Sequence, residues 1–189
     1  MAGPEPRDPG EVGQAVIVGV QRCGTTSVAA ALAQHPQVAF AEPLWPEPKF
    51  FLQGGSAHRR QEYLDRHYRP GDTAVRLRCE KSTSYFESDG ACDEIAEAFP
   101  EARIVVVVRD PIARALSHYA FTSRSGLEDL PLHQALDLEA EQRAWDTDAV
   151  SVSPYRYLSR GRYVDDLGRW DRTFGAAAVH IVVLEELQS

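Results

Sequence analysis

Among the residues able to do chemistry, those best placed to hold an anion are Gly19-Val-Gln-Arg-Cys-Gly-Thr-Thr-Ser27. An apolar run, Ala15 to Val18, leads into Gly19, and a small-residue helical pattern runs from Ser27 to Gln34. A strand, a glycine loop and a helix in that order aim backbone N–H groups and a helix N-terminus at a phosphate. Gly19 and Gly24 have the G-x-x-x-x-G spacing of a phosphate loop, but Thr25 stands where a lysine would reach the β/γ-phosphates of a nucleotide. The loop is therefore read as holding an anionic group in chemistry other than ATP or GTP hydrolysis.

A second constellation is Val108-Arg109-Asp110-Pro111-Ile-Ala-Arg114-Ala-Leu-Ser117-His118-Tyr119. Arg109 falls where a strand ends and Pro111 opens a helix. An arginine there can fork onto a phosphate, and Ser117, two turns on, can donate to the same group. The alternative is that Arg109 pairs with Asp110 or another carboxylate and Ser117 is packing.

These residues need elements to position them. Apolar strand patterns lie at Ala15–Gly19, Val38–Phe40, Ala74–Cys79, Arg103–Val108 and Val179–Leu184. Helical patterns lie at Thr25–Gln34, Ser56–His67, Cys92–Phe99, Ile112–Thr122, Leu132–Arg143 and Tyr163–Phe174. Ile104-Val-Val-Val-Val108 is β-branched and apolar throughout, as a central parallel strand covered on both faces is. Alternating strands and helices predict a three-layer α/β fold with a central parallel sheet and a P-loop-like phosphate loop. Ligands in such sheets bind beyond the carboxyl ends of the strands, where both constellations fall.

The chain has 189 residues and a formal net charge of −8, which argues against a nucleic-acid binder or an anionic membrane surface as partner. No apolar run has transmembrane length. Residues 1–13 are polar, contain Pro and Gly, and are read as a disordered leader without a secretory h-region. Three cysteines, Cys23, Cys79 and Cys92, lack metal spacing and are read as free thiols of a reducing cytoplasm, Cys79 on a buried strand. The histidines are read as structural: His118 within the Arg109 helix, His58 and His67 on a polar helix face, and His35 at a helix end.

Taken together, the two constellations resemble those of the PAPS-dependent sulfotransferase family, in particular bacterial members similar to the heparan-sulfate type. Gly19 to Ser27 looks like the family's 5′-phosphosulfate loop, and Arg109 to Tyr119 like its 3′-phosphate motif, with Arg109 and Ser117 in matching places. Three further stretches agree in order: Glu47-Pro-Lys-Phe-Phe51, Glu80-Lys-Ser-Thr-Ser-Tyr-Phe86 and Gly161-Arg-Tyr-Val-Asp-Asp-Leu-Gly-Arg-Trp170. The likeness covers 14–189 as one domain. It implies PAPS (3′-phosphoadenosine 5′-phosphosulfate) as donor, PAP as product and no metal. Cys23, Gly24, Thr25, Thr26 and Ser27 would hold the 5′-phosphate, with Arg109 and Ser117 on the 3′-phosphate. Arg22 would approach the bridging oxygen, Lys81 the sulfuryl or acceptor side, and Glu47 would be the general base. From the residues alone, Glu47 reads as a loop carboxylate beside Lys49, and Lys81 as a lysine paired with Glu80.

The departures are specific. Arg22 replaces the lysine of heparan-type members and keeps the charge with an added fork. Cys23 replaces Gly or Ser, which predicts mild thiol sensitivity. Pro46 stands where many relatives carry Lys, and Thr83 where Pro is usual. Members of the family usually continue past the position of Ser189, so the likeness implies a C-terminally short domain. The activity implied is sulfuryl transfer to a hydroxyl, less readily an amine, of a small molecule or carbohydrate, with Trp45 beside the acceptor. A non-catalytic or partner-dependent nucleotide-binding remnant and a phosphotransferase are the alternative functions, and homo-oligomerisation is a further expectation for its partners.

Overall fold

The computed structural model describes residues 12–188 except 56, 72, 142 and 147–150. Of the expected leader, residues 1–11 lie outside this range, and Gly13 opens the first strand. Five strands, β1 (Gly13–Gly19), β2 (Val38–Phe40), β3 (Leu77–Lys81), β4 (Arg103–Val108) and β5 (Val179–Val183), form one sheet in the order β2-β3-β1-β4-β5. Every pairing is parallel. The helices are α1 (Thr25–Leu32), α2 (Arg60–His67), α3 (Asp89–Ala98), α4 (Pro111–Arg124), α5 (Leu132–Asp137) and α6 (Tyr163–Phe174).

β1 is buried at every position and β4 buries Ile104, Val106 and Val107, as continuous β-branched runs between helical layers require. Trp170 of α6 is fully buried and donates from Nε1 to the Phe86 carbonyl at 3.0 Å, tying α6 to the segment after β3. The chain leaves β1 toward β2 on one side and leaves β4 toward β5 on the other. Adjacent parallel strands with opposite exits open a crevice at their carboxyl ends.

Several boundaries differ from the expected ones, each for a local reason. The third strand lies at Leu77–Lys81 rather than Ala74–Cys79, because its register is set by pairing with β1, where Ile17 faces Lys81. α3 begins earlier than expected, since the Ser88 hydroxyl caps it by accepting from the Ala91 N–H at 3.2 Å. The expected helices over Ser56–His67 and Leu132–Arg143 are each divided between an α-helix and a 3-10 turn, at Ala57–Arg59 and Leu138–Glu141. His67 faces inward rather than out, with Nδ1 2.7 Å from the Glu42 carbonyl. No helix among the described residues is long and apolar enough to cross a membrane.

Candidate functional site

The carboxyl edge of the sheet gathers three segments. The loop after β1 enters α1 through Gly24, whose φ of 83° is left-handed. A Cβ there would stand 2.6 Å from Leu184 Cδ1, so glycine is required for backbone and space alike. The Cys23 N–H is already spent on the Val20 carbonyl at 3.2 Å, and those of Ser27 and Val28 on Gly24. The N–H groups of Gly24, Thr25 and Thr26 have no backbone acceptor among the described residues, leaving them open at the positive end of the α1 dipole. Thr25 is buried; the side chains of Thr26 and Ser27 are exposed, and neither caps the helix.

Arg22 also has a left-handed φ, 69°. Its guanidinium lies over the Phe121 ring at 4.7 Å and donates from Nε to Ser117 Oγ at 3.3 Å. Ser117 therefore meets the loop directly. Burial, then the charges of Arg124 and Arg109, make protonation of Arg22 harder than usual. Three arginines thus share one edge; sequence reading missed Arg124, which enters only because α4 runs to its full length. Asp110 does not pair with Arg109 as the alternative supposed. Its carboxylate caps α4 by accepting from the Ala113 N–H at 2.7 Å, and no ion pair to Arg109 occurs among the described residues. The backbone of Arg109 is held by Tyr163, whose hydroxyl donates to its carbonyl at 2.7 Å. Glu185 is the carboxylate nearby, accepting from the Asp110 N–H at 3.0 Å.

Cys23 is fully buried, with Sγ 3.6 Å from the Tyr163 hydroxyl, and burial raises its thiol pKa. That removes the expected thiol sensitivity, because the reactive species is an accessible thiolate.

The third segment joins Glu47 and Lys81. Lys81 Nζ lies 2.5 Å from Glu47 Oε1, with side chains 6% and 7% exposed. Glu47 Oε2 also accepts from the Thr83 N–H at 2.9 Å and from the Thr83 hydroxyl at 3.0 Å. Both pairings read from the residues alone are overturned: Lys49 reaches Ser151 Oγ at 2.8 Å, and Glu80 turns into the core. There Glu80 accepts from Tyr63, Tyr85 and Ser82, each at 2.7 Å, and burial raises its pKa. Ser82 Oγ accepts from the Lys49 N–H and Tyr85 Oη from the Phe51 N–H, so Glu80 organises the hydroxyls that pin the Glu47 segment against β3. Trp45 is 79% exposed. Thr83 was noted in the sequence only as a departure; its role as a Glu47 donor exists only in three dimensions.

Behind these segments lies a polar interior. Arg160 and Arg156 share the buried Glu87, with N···O distances of 2.7 and 2.6 Å. His118 stands between Arg160 Nη1 at 3.3 Å and Arg114 Nη1 at 3.4 Å. Burial, reinforced by those two charges, pushes its imidazole down to about 2. Arg114 bonds the Tyr157 carbonyl, while its Nε is buried without a partner.

The comparisons agree with this architecture. A family model described as sulfotransferase domain matches residues 13–189. Human heparan sulfate glucosamine 3-O-sulfotransferase 6 is 33% identical over 180 residues, covering 93% of this chain and 48% of that protein. Bifunctional heparan sulfate N-deacetylase/N-sulfotransferase 1 of Caenorhabditis briggsae is 27% identical over 184 residues, covering 92% and 20%. The chain thus spans between a fifth and a half of the length of these curated relatives. A sulfotransferase from Alicyclobacillus acidocaldarius superposes with a TM-score of 0.72 at 23% identity, over 94% of this chain and 75% of that one. The sulfotransferase domain of the Synechococcus PCC 7002 olefin synthase does so with a TM-score of 0.50 at 21% identity, over 98% and 70%. At such identities the solved structures speak for the fold, and the family model for membership: the chain belongs to the sulfotransferase domain family.

Proposed function

We infer that this chain transfers a sulfuryl group from PAPS to a hydroxyl of a small-molecule or carbohydrate acceptor, with Glu47 as general base. The observation that carries the reading is the buried Glu47–Lys81 pair at the same sheet edge as an open helix N-terminus and three arginines. The donor set suits a bisphosphate. The open N–H groups of Gly24, Thr25 and Thr26 suit the 5′-phosphate, with hydroxyls from Thr25, Thr26 and Ser27 in reach of the same loop. Arg109 and Ser117 suit the 3′-phosphate. When bound, PAPS supplies the activated sulfuryl group.

The chain's residues do the rest. Lys81 and Thr83 together fix the Glu47 carboxylate in place. A carboxylate has about four lone-pair sites; Lys81 Nζ and the N–H and hydroxyl of Thr83 take three, leaving one for the acceptor's proton. An alcohol is a weak acid, so a base within hydrogen-bond reach is needed when it attacks. Arg22, held on Phe121 and Ser117, offers charge where the leaving phosphate becomes more anionic. Family membership supports the reaction class; the acceptor class and cytoplasmic location remain part of the proposal.

The test is calorimetric titration with PAP, with magnesium-ATP as control. Metal-independent PAP binding is expected. Arg109→Ala is expected to weaken it by about 10- to 100-fold, the loss of roughly 1.5–3 kcal/mol for a charged hydrogen bond. Absence of PAP binding by the wild-type chain would overturn the donor assignment.

A further inference from the structure

Arg160 lies behind the donor loop, 3% exposed, with all three of its guanidinium nitrogens engaged. Nε donates to Glu87 at 3.0 Å, and Nη2 reaches Glu87 at 2.7 Å and the Ser153 carbonyl at 2.8 Å. Nη1 donates to Gln21 Oε1 at 3.2 Å and lies 3.3 Å from His118 Nε2. Neighbouring Arg114, by contrast, has an unpartnered Nε. One guanidinium therefore ties the segment after β3, helix α4 and the residues before α6 to a single side chain of the donor loop. Gln21 directly precedes Arg22, whose own side chain is held by Ser117 and Phe121. The left-handed backbone at Arg22 thus carries two neighbouring side chains that are each tied to other elements.

We propose that Arg160 is a positioning residue for donor binding, acting through the Gln21 side chain to hold the loop in its anion-binding conformation. The proposal rests on the donor reading above. It requires no contact between Arg160 and the donor. Because Glu87 neutralises Arg160 from behind, what reaches the loop is geometry rather than a free charge. A loop that must be ordered on binding costs affinity that a pre-ordered one does not.

The test uses the whole chain, with PAP affinity by calorimetry, steady-state kinetics and urea unfolding. Gln21→Ala removes the loop's half of the contact and leaves the Arg160–Glu87 pair intact. It is expected to raise the PAP Kd and the PAPS KM by about tenfold, as loss of a hydrogen bond to a charged group does, with kcat within about threefold of wild type. Arg160→Lys keeps the charge for Glu87 and is expected to weaken PAP similarly. The double variant is expected to bind no more weakly than either single variant, because both remove one interaction. A wild-type chain that binds PAP beside a Gln21→Ala variant of unchanged affinity overturns this proposal alone; so do additive losses in the double variant. A wild-type chain without PAP affinity overturns the donor reading and this proposal with it.

Discussion

Glu47→Gln perturbs the candidate centre at its most constrained atom. The carboxylate faces two fixed donors, Lys81 Nζ at 2.5 Å and the Thr83 N–H at 2.9 Å, plus the rotatable Thr83 hydroxyl. A carboxamide of the same shape must turn its NH2 toward one of the fixed donors, so one contact becomes donor against donor. Lys81, 6% exposed, also loses its counter-charge. Removing one partner of a buried pair costs about 3–5 kcal/mol. The lower end applies here, because Gln retains one acceptor oxygen. A domain with the usual stability of about 5–15 kcal/mol stays folded after that loss. Loss of a general base lowers turnover by about 10²- to 10⁴-fold. PAP affinity is expected to change by less than about threefold, since a base interacts with the acceptor in the transition state rather than with the bound product. The assays are sulfuryl transfer from labelled PAPS, PAP calorimetry and urea unfolding on one preparation. A folded Glu47→Gln variant retaining turnover within tenfold of wild type would refute the base assignment and leave the pair a structural one.

Two further predictions follow from local geometry. Gly24→Ala forces a side chain onto a left-handed backbone and within 2.6 Å of Leu184 Cδ1; a loss of about 1–3 kcal/mol is expected, lowering Tm by roughly 2–4 °C per kcal/mol, and an unchanged Tm contradicts the packing. His118 carries a sign-specific pH effect. Its imidazole is pushed from 6.5 to about 2 by burial, Arg160 and Arg114, so the unfolded chain gains a proton near pH 6.5 that the folded chain refuses. Stability is fully present above pH 6.5 and falls below it by about 1.4 kcal/mol per pH unit, roughly 2 kcal/mol by pH 5. Urea unfolding at pH 7 and pH 5 is expected to show that extra loss in wild type and not in His118→Asn; equal losses would show that His118 is protonated in the fold.

The α/β class and the two segments that meet at the sheet's carboxyl edge were legible in the sequence, because both signals are local. Hydrophobic runs record strands buried on both faces, and β1 and β4 need no tertiary information to be seen. Gly24 and Pro111 likewise declare the backbone they allow. The family resemblance extended this to Glu47 and Lys81 through matched segments. What it could not supply is who touches whom. Lys81 sits next to Glu80 in sequence, yet successive β-strand side chains point to opposite faces, which sends Glu80 into the hydroxyl cluster and Lys81 to Glu47. Asp110 precedes Pro111, and the helix N-terminus rather than Arg109 claims its carboxylate. The contacts Arg22–Ser117, Thr83–Glu47 and Gln21–Arg160 span 95, 36 and 139 residues. They exist only because the sheet order sets the ends of β3, β1 and β4 side by side. Sequence alone determined the elements and the chemical types along one edge; tertiary structure decided which charges are paired and which stay available, since charge pairing depends on distance and burial, and neither is a property of neighbouring residues in the chain.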